Sequence, residues 1–208
     1  MNKIVANLLS YIFQPLLMAT LLFATVLWVI PSELSIQFSL ENKLRLILII
    51  FMITSVLPLI SIFILKLTKG IKNYDLKNKE ERIVPFFFVA IYYAIAAYLL
   101  TTKITLGPLF DTLILTTAFV VILSSIVTPF WKISVHSMGT AGVLGFMIGM
   151  NFNSPDSLFY WPIFLWVLIT GFTMSSRLFL NAHKPAEVWG GAVVGFGICF
   201  LTIVLFIR

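Results

Sequence analysis

The sequence contains only two histidines, His136 and His183, and each stands among groups suited to phosphoryl and proton chemistry. The second lies in the run SRLFLNAHKPAE, residues 176–187. Proline disfavours helical geometry at the residue before it and suits the first turn of a helix, so Pro185 sets a helix start just after His183. Glu187 then falls in the first turn, where the helix dipole favours a carboxylate and the side chain can turn back toward the imidazole. A histidine–carboxylate pair fixes the ring tautomer and raises its basicity, the usual arrangement for activating a ring nitrogen. Arg177 supplies a planar fork of donors that matches phosphate oxygens. Taken singly, each residue also has an ordinary role: Glu187 as a helix cap, Arg177 as a cation reaching toward lipid headgroups.

The first histidine lies in KISVHS, residues 132–137. Ser134 is a candidate N-cap for the helix that follows. Exposed amides at a helix start also bind anions, and the Ser134 hydroxyl would add a donor there. His136, next to such an anion, could donate a proton to a leaving group. Arg82, with Lys77 and Lys79 before it, would complete a cationic lining. Most lysines between Lys66 and Lys79 read better as solvated charges that set membrane topology.

Apolar helices must hold these groups together. Apolar residues make up 60% of the 208 and charged residues 11%, less than half the charged fraction of an average soluble domain, about 25%. A membrane-spanning helix needs about 20 mostly apolar residues. Suitable stretches are Leu8–Ile30, Leu44–Leu65, Pro85–Leu100, Leu109–Pro129, Ser134–Asn151, Phe159–Ser175 and Ala186–Ile207. The third is short and the fifth glycine-rich, so the expectation is an all-α integral membrane bundle of six to seven transmembrane helices. The whole chain, 1–208, reads as one multi-pass domain. Its amino end reads as a retained first span, since the apolar run is longer than a signal peptide's and no small-residue cleavage pattern follows.

If Pro85–Leu100 and Leu109–Pro129 both cross, two spans separate each polar segment from the next. Segments 77–85, 132–137 and 176–187 then emerge on one face and form the site. Ala141, Gly145 and Gly149 recur every four residues, as do Gly191 and Gly195, a pattern that lets two helix backbones approach closely. Close packing of these two spans brings the segments before them together. Ionisable groups at membrane depth are costly, roughly 2.5–3.5 kcal/mol for a central charge, and so default to functional readings. The single Cys199 reads as a small buried hydrophobe. The net charge of +6 sits in the connections, where it sets topology or meets headgroups, and does not imply a nucleic-acid partner.

The run SRLFLNAHKPAEVWGGAVVG resembles the third signature of the type-2 phosphatidic acid phosphatase superfamily: Ser-Arg, five residues, His, three residues, then an acid. KISVHSMGTAG resembles the second signature, Pro-Ser-Gly-His. The resemblance implies that His183 is a nucleophile that becomes phosphorylated, with Glu187 orienting it. It implies that His136 is the acid that protonates the departing group, and that Ser134, Arg177 and Arg82 hold the phosphoryl oxygens. Asp75 occupies the position expected for the lysine of the first signature; Lys79, one helical turn before Arg82 and able to share its face, is one candidate to replace it. The resemblance implies no metal and no other cofactor, because fixed cations and amides stabilise the charge of the transition state.

The expected activity is hydrolysis of a phosphomonoester or diphosphate of a membrane lipid by a metal-independent phosphatase. The bilayer and the lipid phosphate are the expected partners, and a cell (inner) membrane the expected location. An alternative is a phospholipid- or anion-binding membrane protein of the same fold that has lost catalysis. Two departures favour it: Glu187 in place of the family's Asp, and a weak first signature in which Pro85 lies three residues after Arg82. A channel or transporter ranks lower, since most spans carry few polar residues.

Overall fold

The structure, a computed structural model, describes residues 2–29, 38–68, 79–104 and 106–207, with the side chains of residues 79–81 excepted. Among these residues it is helical, with no strand. α1 (Lys3–Ile12) and α2 (Met18–Val29) form one span broken at Pro15, where a single 3₁₀ turn, Pro15–Leu17, changes its direction. Proline lacks the amide that would continue the ladder, so the break falls where the sequence puts it. α3 (Leu40–Phe51) and α4 (Leu57–Leu67) form a second span through a π-helical turn at Met52–Val56. α5 (Lys79–Leu99) continues into another π turn, Leu100–Ile104. It is thereby longer than the short third span expected from Pro85–Leu100. α6 (Pro108–Val127), α7 (Val135–Asn153), α8 (Tyr160–Phe179) and α9 (Pro185–Phe206) complete the chain.

Six of these runs are long and apolar enough to cross a membrane. α7 falls short in hydropathy for a physical reason. Eleven of its nineteen residues are buried, so its surroundings are protein rather than lipid. It runs parallel to α9, and the two approach at their glycines. A Cβ built on Gly191 would overlap the Ser134 carbonyl oxygen, one on Gly195 the Met138 carbonyl oxygen, and one on Gly145 that of Phe196. Backbone contact of this kind replaces the hydrophobic effect, which lipid tails cannot supply between spans.

The Leu16 carbonyl, beside the break at Pro15, is bonded from two neighbouring helices, which suits a bilayer that offers no water to backbone groups. Ser55 in the first π turn and Tyr93 of α5 both donate to the Leu16 carbonyl, at 2.8 and 3.4 Å. Exposed aromatics mark both ends of the bundle, with Phe130, Trp131 and Trp189 at one and Trp28, Tyr160 and Trp161 at the other. Such rings favour the headgroup level. The carboxyl ends of α4, α6 and α8 and the amino ends of α5, α7 and α9 lie at the first of these ends. There residues 132–137 and 176–187 meet the described part of the first polar segment, from residue 79 on.

Candidate active site

α8 ends because Asn181 adopts a left-handed conformation, φ 50°, which asparagine tolerates better than most residues. The amides of Leu180, Asn181 and Ala182 close back onto the carbonyls of Ser176, Leu178 and Arg177. The chain therefore turns sharply after Arg177 and delivers His183 to the mouth of the bundle before Pro185 opens α9.

His183 is buried, with 8% of its surface exposed. Its Nδ1 lies 2.9 Å from Glu187 Oε2 and 3.1 Å from the Lys132 carbonyl oxygen. Both partners can only accept, so Nδ1 carries the proton and Nε2 keeps its lone pair. Burial, opposed by the Glu187 hydrogen bond and assisted by the Arg177 and Arg82 charges, lowers the imidazole pKa to about 4. The ring is neutral at physiological pH. A neutral imidazole with a fixed tautomer and a bare Nε2 is a nucleophile.

Glu187 also accepts from the Lys184 amide, 3.1 Å away. Capping the helix and holding the histidine are therefore one arrangement. Lys132 Nζ donates to the Ala182 carbonyl at 3.0 Å, and the Ser134 amide donates to the Glu187 carbonyl at 3.0 Å. These bonds fasten the α6–α7 connection to the α8–α9 connection.

Beside His183 opens a cavity of about 1160 Å³. Lys3, Arg82, Lys132, Arg177, His136 and His183 line it, and among the described residues no aspartate or glutamate does. Arg82 is buried, so its charge acts where water screens little. Further in, the wall becomes apolar, with Leu22, Val89, Val120, Val121, Val143 and Phe146. A cationic mouth on a hydrophobic chamber suits an anionic amphiphile.

Of the residues expected from sequence, His183, His136, Arg177 and Arg82 share this cavity, and Glu187 stands directly behind His183. Ser134 does not line it. Its side chain is fully buried, accepts from the Ser137 amide at 3.5 Å and contacts the Ser137 hydroxyl at 3.0 Å. It is the N-cap of α7, and the residues that reach the cavity beside it are Val135 and His136. Lys79 opens α5, but its side chain lies outside the described residues, as does Lys77 altogether. Among the described residues, no group of three or more His, Cys, Asp or Glu could hold a metal ion.

Sequence reasoning placed a first span at Leu8–Ile30 but missed the contribution of α1 to the site. Ser10 reaches the cavity, and its carbonyl oxygen lies 3.3 Å from His136 Nε2. A lone serine in the apolar run before Gln14-Pro15 was the only signal available. Fold and cavity together define a multi-pass helical membrane protein with an internal cavity lined in part by cationic side chains. No family model, curated protein or solved structure matches the chain.

Proposed function

We propose that this protein is a membrane lipid phosphatase that hydrolyses a phosphomonoester or diphosphate through a phosphohistidine at His183. One observation carries the reading. The Nδ1–H of His183 is held by two acceptors, Glu187 and the Lys132 carbonyl, in a cavity whose mouth is cationic and whose depth is apolar. The lipid's phosphate sits among Arg177, Arg82 and Lys132, and its chain extends along the apolar wall. His183 Nε2 attacks phosphorus, and the bond from phosphorus to the departing oxygen breaks. His136, protonated in the presence of the anionic substrate, gives its proton to that oxygen. Glu187 stabilises the positive imidazolium that forms, and the cations spread the charge of the transition state. Water then attacks the phosphohistidine as His136 takes its proton, the phosphorus–Nε2 bond breaks, and phosphate leaves with both histidines restored.

The position of Ser134 favours a second reading. Its absence from the cavity wall removes one expected phosphoryl ligand, which fits a protein that binds a lipid phosphate without cleaving it. Phosphate release from a panel of lipid phosphates by purified protein in detergent separates the two. The phosphatase reading predicts release by the wild type and background rates for a folded His183→Ala variant. Equal turnover by that variant would sink the mechanism, and no release by the wild type would favour the binding protein.

A further inference from the structure

Of the α1 residues that line the cavity, Ser10 is in contact with two of the candidate site residues. α1 ends at Ile12, which leaves carbonyls of its last turn without partners inside the helix. The Ser10 carbonyl is one of them, and it meets His136 Nε2 at 3.3 Å. A carbonyl only accepts, so Nε2 carries the proton and Nδ1 is the nitrogen left to exchange one. That Nδ1 is buried and has no hydrogen-bond partner among the described residues.

The Ser10 side chain works on the opposite group. Its hydroxyl donates to the Ala6 carbonyl at 2.9 Å. That direction turns its lone pairs outward, and Arg177 Nη1 donates to them at 3.2 Å. Ser176, the residue before Arg177, lies 3.3 Å from the same oxygen. One residue of α1 therefore touches the arginine of the α8 end through its side chain and the histidine of α7 through its main chain. Ser10 is itself buried on the cavity wall.

We infer that Ser10 is a positioning residue of the anion site, which braces the Arg177 guanidinium for the phosphoryl group and fixes the tautomer of His136. α1 is then part of the site, beyond its role in the first span. This inference rests on the phosphatase reading for its effect on turnover, but its effect on anion binding stands independently.

The test uses the full chain in detergent and two readouts. Calorimetric titration with inorganic phosphate reports the brace on Arg177 whether or not the protein is an enzyme. Ser10→Ala keeps the main-chain carbonyl and suits a helix, so it isolates the hydroxyl. It should weaken phosphate binding about tenfold, the scale for losing one hydrogen bond to a charged group. Ser10→Thr, which restores a hydroxyl, should recover most of that loss. If lipid phosphate is hydrolysed, Ser10→Ala should also move the acid limb of kcat/KM to higher pH, because a loosened Arg177 lowers the His183 pKa less. A purely structural role would change thermal stability and leave both readouts in place.

Ser10→Ala protein that binds phosphate as tightly as the wild type overturns the inference, as does a loss that threonine fails to recover. Weakened binding without any hydrolysis by the wild type would keep Ser10 as an anion-site residue and reject the phosphatase reading. Hydrolysis with unchanged binding and an unchanged acid limb in Ser10→Ala would keep the phosphatase and reject the role of Ser10.

Discussion

A single oxygen of Glu187, Oε2, lies 2.9 Å from His183 Nδ1 and 3.1 Å from the Lys184 amide nitrogen. The start of α9 and the tautomer of the imidazole are thus set by one side chain. This coupling explains why the carboxylate is in the first helical turn: there the dipole favours it, and from there it can turn back over the Lys184–Pro185 step to reach the ring.

Removing only the charge separates these two duties. Glu187→Gln keeps shape and volume but cannot stabilise an imidazolium, and orienting or acid–base groups contribute typically about 10²–10⁴-fold. Turnover of a lipid phosphate should fall within that range, with inorganic phosphate binding largely retained because the cations are untouched. Glu187→Asp shortens the reach by one methylene and should be partly impaired, since the backbone here fits the longer side chain. A Glu187→Gln variant with wild-type turnover would reduce Glu187 to a helix cap.

The local devices were the legible part of this chain. Pro185 and Glu187 announced the start of α9 and the histidine partner, and the spacing of Gly191 and Gly195 announced the contact with α7. The same-face convergence followed from counting spans. Ser10 was not legible, because its contacts with Arg177 and His136 cross more than a hundred residues of sequence. Nor was the displacement of Ser134 from the cavity: serine at a helix start suits both capping and anion binding, and only packing decides between them. The length of α5 was hidden by the charged residues around Lys79, which interrupt the apolar run while the helix continues.

Chelation should leave activity intact. Arg82, Arg177 and Lys132 supply positive charge at the cavity mouth, and the described residues offer no cluster of ligands for an ion. Lipid phosphate hydrolysis measured with and without EDTA checks this. Loss of activity that magnesium restores would require a different chemistry.

The close approach of α7 and α9 predicts a sharp contrast between two glycines on the same helix. A Cβ on Gly195 would overlap the Met138 carbonyl oxygen, whereas one on Gly197 has nothing within 4 Å. Gly195→Ala must push the helices apart and should cost about 1–3 kcal/mol. Because α7 carries His136 and α9 carries Glu187, it should also lower turnover. Gly197→Ala gains helix propensity of up to about 1 kcal/mol and should be neutral or stabilising. Thermal unfolding of both variants in the same detergent reports the difference. Equal stability would mean that the two helices are not in backbone contact.

The acid behaviour of His183 gives the last prediction. Burial, then the Arg177 and Arg82 cations, lower its pKa from the ordinary histidine value to about 4, and Glu187 pulls the other way. Attack requires an unprotonated Nε2, so the His183 contribution to the acid limb of kcat/KM should lie near pH 4. An ordinary histidine would place it near about 6.5. Arg177→Gln removes a charge that lowers the pKa and should move the limb upward. Glu187→Gln removes the group that raises it and should move the limb further down, alongside its loss of rate. Comparing variants on one substrate cancels the ionisation of the substrate itself. Stability follows the same linkage: the unfolded chain takes up a proton at His183 before the folded protein does, so folding is weakened as pH falls from about 6.5 toward 4. His183→Asn should remove that part of the pH dependence. An acid limb near 6.5 that neither Arg177→Gln nor Glu187→Gln displaces would show that His183 does not titrate in the rate-determining step.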